Sequence, residues 1–406
     1  MIYLDNAATS FHKPDCVLRA VAEAMQHAGN SGRGSSGEAM AASRLIFNTR
    51  CQIAEMFDVW GPECVAFTSN DTEALNIALQ GTLHPEEGTI HAICTEMDHN
   101  SVLRPLYRLE KKGMKLTILP ADRKGRISLT ELEAAIRPET KVIVCTHASN
   151  LTGNLNDIHA IGAIAQKHQK LFIVDAAQTA GVFPISMKKD HIDILCFSGH
   201  KGLMGPQGTG AICVRPGVSV EPLKVGGSGV LTFQREHPQD MPETLEAGTL
   251  NSHGIAGLGA AISWITEIGT EQIRKREQQL MWRFYDQVKE IPGVTLYGDF
   301  SREERSPVVT LNIAEMDSAE VAMVLDEEYG ISVRAGGHCA PLMHKALGTE
   351  KTGAVRITGE GEIVIRVTKA EDATHNAASA EITFTANEIP YTGKYSYEIS
   401  TAIGDN

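Results

Sequence analysis

The 406-residue chain has no apolar run long enough to span a bilayer and no basic run of the kind that tracks a nucleic-acid backbone. Its formal net charge of -13 points the same way, because a strongly acidic surface repels phosphate. The eight cysteines include no CxxC pair and no Cys/His zinc spacing, which leaves no metal finger written in the sequence. Scattered thiols suit a reducing compartment, where most of them serve as small core residues. The opening MIYLDNAATS has neither the charged nor the apolar segment of a secretory signal. The expectation is therefore a cytoplasmic protein with no membrane and no nucleic acid among its partners. What is present is the composition of a soluble globular protein, 42% hydrophobic and 21% charged, at a length that allows two or three domains and a large core.

An amphipathic pattern at 15–28 predicts a helix, and the Gly/Ser-rich 30–37 a loop in which Arg33 is either a solvated charge or an anion contact. From 38 to about 215, apolar runs of strand length alternate with helical patterns. The runs are 64–68, 89–94, 115–119, 141–146, 171–174, 193–197 and 210–214, and helices are expected at 71–82, 99–112, 129–136 and 157–168. Continuous apolar strands joined by helices predict an α/β fold with a mainly parallel seven-stranded sheet covered on both faces. In such sheets ligands collect at the carboxyl ends of the strands, so the residues at those ends carry the functional information.

Thr68 to Glu73 follow the first run, with Asn70 and Glu73 at capping-box spacing and Thr72 in the first helical turn. This is either an ordinary capped helix or a phosphate site at a helix N-terminus, and Asp71 puts a negative charge there. His99 follows the second run, Asn150 the fourth, and Asp175 closes LFIVD with Gln178 three residues on. Ser198, His200 and Lys201 end the sixth run, ahead of the glycine-rich GLMGPQGTG. A lysine at the end of a core strand is either solvated in a turn or held in a pocket with a lowered pKa, ready to form a Schiff base. Taken together, these residues put a lysine, a carboxylate, a flat imidazole, an amide and a phosphate-type helix end at one sheet edge. A pyridoxal phosphate site requires that set.

The motifs YLDNAAT, EMDHNS, HASNLTG, VDAAQT and SGHKGLMGPQGTG, with EAGTLN at 246–251 and RAGGHCAPLMHKALGT at 334–349, occur in that order between residues 2 and 356. In these the chain resembles the class V aminotransferase family, and within it the short-loop cysteine desulfurases and the related selenocysteine lyases. The resemblance implies a fold type I enzyme that uses pyridoxal 5'-phosphate, with a large domain at 16–260, a small α+β domain at 261–356 and an N-terminal segment, 1–15, packed on the small domain. It implies Lys201 as the Schiff-base lysine, Asp175 as partner of the pyridine nitrogen, Gln178 on the ring oxygen and His99 stacked on the ring. Thr72, Ser198 and His200 would hold the phosphate, and Thr249 would reach the phosphate of a neighbouring subunit, which implies a homodimer. Asn150 would touch cofactor or substrate, Ala8 would line the substrate site, and Arg356 would pair with the substrate carboxylate through its two-pronged geometry. Cys339 would be the nucleophile. Its thiolate is the reactive form, and a protonated His338 beside it would favour that form.

The implied reaction converts L-cysteine to L-alanine and leaves a persulfide on Cys339 for a sulfur-acceptor protein or small thiol. The alternatives are a selenocysteine lyase, for which Cys339 would matter less, and an impaired enzyme that binds through its tail. Residues 251–290 read as long helices, 306–313 and 331–334 as strands with a helix at 318–329 between them. The chain departs from the family pattern at Asp71, at Gly337, where many short-loop members carry histidine, and after Arg356. There, residues 357–406 form an atypical β-rich tail, with strand-like alternation at 362–367 and 381–385 and a weak similarity over 358–385 to bacterial immunoglobulin-like repeats.

Overall fold

The computed structural model describes residues 2–29 and 36–358, together with the backbone of two strands at 363–369 and 378–384. Most of the predicted loop at 30–37, with Arg33, and most of the tail lie outside the described residues.

All seven predicted runs join one sheet. In chain order its strands are β2 (Val65–Thr68), β3 (His91–Thr95), β4 (Lys115–Leu119), β5 (Thr140–Thr146), β6 (Leu171–Asp175), β7 (Ile194–Ser198) and β8 (Gly210–Val214). A two-residue strand, β1 (Ile2–Tyr3), precedes them. The order across the sheet is β2-β8-β7-β6-β5-β3-β4, and β8 alone runs antiparallel to its neighbours. The strands read as unbroken apolar runs because both faces are covered. Along β6, Phe172 and Val174 enter one core with Ile53, Ile161 and Leu258, while Ile173 enters the other with Leu75 and Leu103. Each such fully buried side chain contributes about 1.5–3 kcal/mol relative to exposure.

The covering helices are α1 (Asp15–His27), α2 (Gly37–Met56), α3 (Asp71–Thr82), α4 (Asn100–Glu110), α5 (Leu129–Ala134), α6 (Ile158–Lys167) and α7 (Ser252–Ile268). Side-chain caps start several of them: Asn70 accepts from Glu73 N, Asp157 from Ala160 N and Asn251 from Gly254 N. Helix α4 stops earlier than expected because Gly113, at φ 106°, turns the chain into β4. The predicted helical stretch from 251 to 290 is two helices, α7 and α8 (Thr270–Val288), broken at Gly269 with φ 94°.

A third core gathers Leu4, Met281, Phe284, Val309, Leu311, Val355 and Ile357. It is built on an antiparallel sheet of β9 (Val294–Tyr297), β10 (Val309–Ile313) and β12 (Val355–Ile357), with α8, α9 (Ser318–Tyr329) and β11 (Ile331–Ser332) around it, while Met343 of α10 (Pro341–Leu347) joins a small cluster with Met97 and Leu151. Strand β10 begins later than the pattern suggests, since Ser306 N instead donates to Gly153 O at 2.8 Å. β1 pairs in parallel with β11, and Asp5 bridges to Thr358. In the tail β13 (Ile363–Lys369) and β14 (Ala378–Phe384) pair antiparallel, from Ile363 opposite Phe384 to Lys369 opposite Ala378. Of the segment similar to an immunoglobulin-like repeat, 359–362, 370–377 and 385 lie outside the described residues.

Candidate active site

The carboxyl ends of β2, β3, β5, β6 and β7 open to the same side, and the sequence-predicted polar residues sit on the turns that leave them. Gly210, opposite Ser198 at the start of β8, keeps this edge tight. A Cβ there would lie 2.8 Å from Phe197 O and 2.9 Å from the carbonyl carbon of Asn70. The close approach lets Asp71 N, at the start of α3, donate to Ser198 Oγ at 3.1 Å.

Two buried acids and one amine form the centre. Asp175 closes β6 and is 2% exposed; its Oδ1 accepts from Ala177 N at 2.8 Å. Asp71 is likewise buried, and both acids lie in the field of Lys201. Burial raises the proton affinity of both acids, Asp71 more strongly, and the charge of Asp175 raises that of Asp71 further. Burial lowers the Lys201 pKa, against the pull of Asp71 and Asp175; Arg356 lowers it further and Cys339 raises it. Lys201, Asp71, Asp175, Arg356 and Cys339 therefore share one electrostatic neighbourhood.

His99 is the N-cap of α4. Its Nδ1 accepts from Ser101 N at 3.1 Å, which leaves the hydrogen on Nε2. Ser101 Oγ lies 2.9 Å from the same Nδ1 and 2.7 Å from Thr72 Oγ1, so imidazole, serine and threonine form a polar row across α3 and α4. Burial, with Lys201 and Arg356 nearby, lowers the His99 pKa to about 4, and the ring is neutral at physiological pH. Asn150 is buried on the turn after β5. Its Nδ2 donates to His338 O at 2.6 Å, its carbonyl accepts from Arg356 Nη1 at 3.1 Å, and its Oδ1 has no partner among the described protein groups.

Cys339 is held over this edge by backbone contacts. Asn100 N donates to Cys339 O at 2.8 Å. His338 and Cys339 both adopt left-handed backbone, at φ 49° and 54°, a conformation that costs non-glycine residues about 1–3 kcal/mol each. Of the eight free cysteines Cys339 alone is exposed, while burial raises the thiol pKa of Cys94, Cys145, Cys196 and Cys213.

The expectation of a protonated His338 is overturned. The ring is 6% exposed, its Nε2 donates to Arg334 O at 3.1 Å, and its Nδ1 faces His344 Nε2 at 3.3 Å. Burial and the nearby Arg356 lower its pKa to about 3, so it carries no charge at neutral pH. Thr349, His344 and His338 instead form a neutral donor chain that ends on the Arg334 carbonyl. The amine that interacts electrostatically with Cys339 belongs to Lys201.

The remaining predicted residues lie at or beside this edge, with one exception. Arg356, 3% exposed, holds Asp5 Oδ1 at 2.5 Å and leaves its Nε without a described partner. Gln178 Nε2 donates to Ala7 O at 3.0 Å, and Ala8 closes the adjacent turn by donating from N to Asp5 O at 2.9 Å. His200 Nδ1 lies 3.1 Å from Thr9 Oγ1. Thr249 is exposed, on a segment anchored elsewhere by Glu246, which accepts from Arg50 and from Phe67 N. Sequence reasoning missed Asp98 and Asp5. Asp98 accepts from Thr95 N, Thr95 Oγ1 and Thr146 N at 2.6–2.9 Å and so locks the ends of β3 and β5 together. Its position beside His99 after an apolar strand was the available signal.

The family model for aminotransferase class-V matches residues 2–360. The chain belongs to this family. Among class-V relatives it is 34% identical over 357 residues to a probable cysteine desulfurase of Methanothermobacter thermautotrophicus, covering 87% of this chain and 88% of the relative. A probable cysteine desulfurase of Pyrococcus abyssi is 33% identical, over 85% of this chain and 86% of that one. The apo structure of a cysteine desulfurase from Thermococcus onnurineus superposes with a TM-score of 0.83 at 34% identity, covering 88% and 89% of the two chains. An S-sulfonic acid form of an Escherichia coli cysteine desulfurase gives 0.78 at 27% identity, over 88% and 89%. Pyridoxal phosphate is the cofactor of class-V enzymes, and the donor set here fits it. An amine of lowered pKa, a buried carboxyl, a neutral imidazole with a free Nε2–H, and hydroxyls at a helix N-terminus meet in one place.

Proposed function

We propose that this protein is a pyridoxal phosphate-dependent cysteine desulfurase, which converts L-cysteine to L-alanine and passes the sulfur on through Cys339. The observation that carries the reading is the shared neighbourhood of Lys201, Asp175, Arg356 and Cys339, with the Cys339 loop tied to both Asn100 and Asn150.

When bound, the cofactor supplies an aldehyde for an amine and a ring that accepts the electron pair left at the substrate α-carbon. Lys201 Nζ would hold the cofactor and, once freed by the substrate amine, move the α-proton. Its lowered pKa suits a base working near neutrality. Asp175 would face the pyridine nitrogen, Gln178 the ring oxygen and His99 the ring plane. Thr72, Ser198 and His200 would bind the phosphate, and Asn150 would touch cofactor or substrate. Arg356 would orient the substrate carboxylate beside Ala8. Cys339 Sγ, as thiolate, bonds to the substrate sulfur. The carbon–sulfur bond breaks with its electron pair left on the carbon side, and proton delivery there completes the methyl group of alanine. Cys339 is left as a persulfide.

The same reading includes a homodimer in which Thr249 serves the partner's site, a cytoplasmic setting and a sulfur acceptor that is either a protein or a small thiol. It also divides the chain at residues 260 and 356, with 1–15 packed on the smaller unit. The pairing of β1 with β11 and the separate core around Phe284 and Val309 support a smaller unit that includes the N-terminal segment, but residue 260 falls inside α7, whose Ile262 and Ile265 pack in the core of the large sheet.

Adding L-cysteine to the purified protein, while following alanine and the mass of the Cys339 peptide, tests the proposal. The expected result is one alanine formed for each peptide that gains a sulfur atom. Alanine release with the Cys339 peptide unchanged, or borohydride labelling that spares Lys201, would overturn it.

A further inference from the structure

The loop that carries Cys339 is closed by the side chain of its neighbour. His338 is buried, and its Nε2 donates to Arg334 O at 3.1 Å, so the ring spans the turn 334–338. The same carbonyl accepts from Arg356 N at 2.8 Å, which joins the loop to β12. Two further ties come from outside: Asn150 Nδ2 donates to His338 O at 2.6 Å, and Asn100 N to Cys339 O at 2.8 Å. Between them His338 and Cys339 keep left-handed backbone, a conformation that persists only where its surroundings over-determine it. A carbonyl can only accept, so the hydrogen of the neutral His338 ring sits on Nε2 and its Nδ1 must accept. The group facing Nδ1 is His344 Nε2, 3.3 Å away on α10. With nitrogens that close, ring centroids as far apart as 5.6 Å and planes within 11° mean that the rings meet edge to edge, as an N–H···N bond needs. His344 Nε2 therefore carries a hydrogen, and its Nδ1 accepts from Thr349 Oγ1 at 2.7 Å.

We propose that His344 is a positioning residue for the nucleophile: its Nε2–H holds His338 in the one tautomer that closes the turn on Arg334, and the closed turn keeps Cys339 in its left-handed conformation. The proposal rests on the reading of Cys339 as the nucleophile. Without His344, the Nδ1 of His338 is a buried acceptor with no donor, and the ring gains by moving its hydrogen there. Nε2 would then meet the Arg334 carbonyl lone pair to lone pair, and the turn would open. The effect falls on the step that needs Cys339. It spares the displacement of Lys201 by the substrate amine, because Lys201 stands on a different turn, after β7.

The test uses the full chain loaded with pyridoxal phosphate. His344→Phe keeps a flat ring without the hydrogen, and His344→Gln returns an N–H donor near Nε2. After rapid mixing with L-cysteine, the spectral change that reports displacement of Lys201 should keep its parent rate in both variants. Sulfur gain by the Cys339 peptide should slow about 10–100-fold in His344→Phe, the scale for a reacting group misplaced by an ångström. In His344→Gln it should return most of the way to the parent rate. Nitrogen NMR of histidine-labelled protein gives a readout that needs no turnover. The His338 signals, identified by their absence in His338→Gln, should be those of a neutral Nε2–H ring in the parent and in His344→Gln, and should lose that single form in His344→Phe. Parent-rate sulfur gain in His344→Phe, a spectral change slowed as much as the sulfur gain, or a glutamine variant as slow as the phenylalanine one would each overturn the proposal. So would a His338 ring that is protonated or Nδ1–H in the parent, a result that stands even if His344→Phe does not fold. A protein that forms no persulfide from L-cysteine would defeat the cysteine desulfurase reading instead, and the NMR comparison would still report on the histidine pair.

Discussion

Arg356 and Asp5, 351 positions apart in the chain, meet at 2.5 Å in a pocket where the guanidinium is 3% exposed. The pair joins β12 to the turn after β1, and a second contact runs from Arg356 Nη1 to the Asn150 carbonyl. The residue expected to receive a substrate carboxylate is thus already held by a carboxylate of the protein, and its Nε has no described partner.

Asp5→Asn should therefore lower stability by about 3 kcal/mol, the scale for a buried charge that loses its partner. L-Cysteine should raise the melting temperature of this variant more than that of the parent, because the substrate carboxylate replaces the missing charge. Equal shifts in a calorimetric titration would show that Arg356 does not receive the substrate.

Cys339→Ala should reduce alanine formation from L-cysteine by at least about 100-fold, as expected for loss of a nucleophile. Selenide leaves more readily, so turnover of L-selenocysteine should fall much less. Equal losses on the two substrates would argue against direct attack by Cys339 on sulfur. Unchanged rates on both would mark the protein as a lyase that does not use this thiol.

Glu246→Gln should destabilise the protein by about 3–5 kcal/mol, because it breaks a buried two-pronged pair. Arg50 reaches Glu246 Oε2 at 2.5 Å and Oε1 at 2.8 Å, and Oε1 also accepts from Phe67 N at 2.6 Å. Urea denaturation reads the loss. The same substitution should loosen the segment that carries Thr249, which proteolysis between residues 243 and 251 would detect.

His147 gives a pH signature. It is 6% exposed, its Nδ1 lies 3.0 Å from Thr179 Oγ1, and burial lowers its pKa to about 4 from an ordinary 6.5. The neutral ring favours the folded state, so its contribution is complete above about pH 6.5 and is lost as pH falls toward 4. Relative to His147→Gln, the parent should lose about 3 kcal/mol across that range. The comparison with the variant matters because Asp98, raised to about 7 by burial, gives the opposite slope in the same interval. Urea midpoints for both proteins at pH 7 and pH 4.5 supply the measurement.

Much of the large sheet could be read from sequence because a strand covered on both faces is apolar without interruption, and every one of the seven runs pairs. The edge that holds the chemistry was legible by the same logic: Asp175 and Ser198 directly follow the apolar runs 171–174 and 193–197, and His99 and Asn150 lie on the turns that leave two others. Strand limits in the smaller core were less clear, since 305–308 spend their hydrogen bonds on the turn at 149–153; Arg305 donates to Thr152 O. Contacts between distant segments left no local trace. Nothing near Asp5 points to Arg356. The charge of His338 was misjudged because its burial depends on Arg334, His344 and Arg356 closing around it, which the residues on either side do not announce.

Strand β1 has a consequence for how the molecule is made. Residues 2–5 leave the ribosome early, yet the backbone groups that receive them lie at 331–332 and 358. More than three hundred residues must be synthesised before that short strand has anywhere to go. Leu4, buried at 0% exposure in the finished protein, travels uncovered until then. A bulky fusion joined close to Ile2 would hinder this last docking step while leaving the seven-stranded sheet free to form.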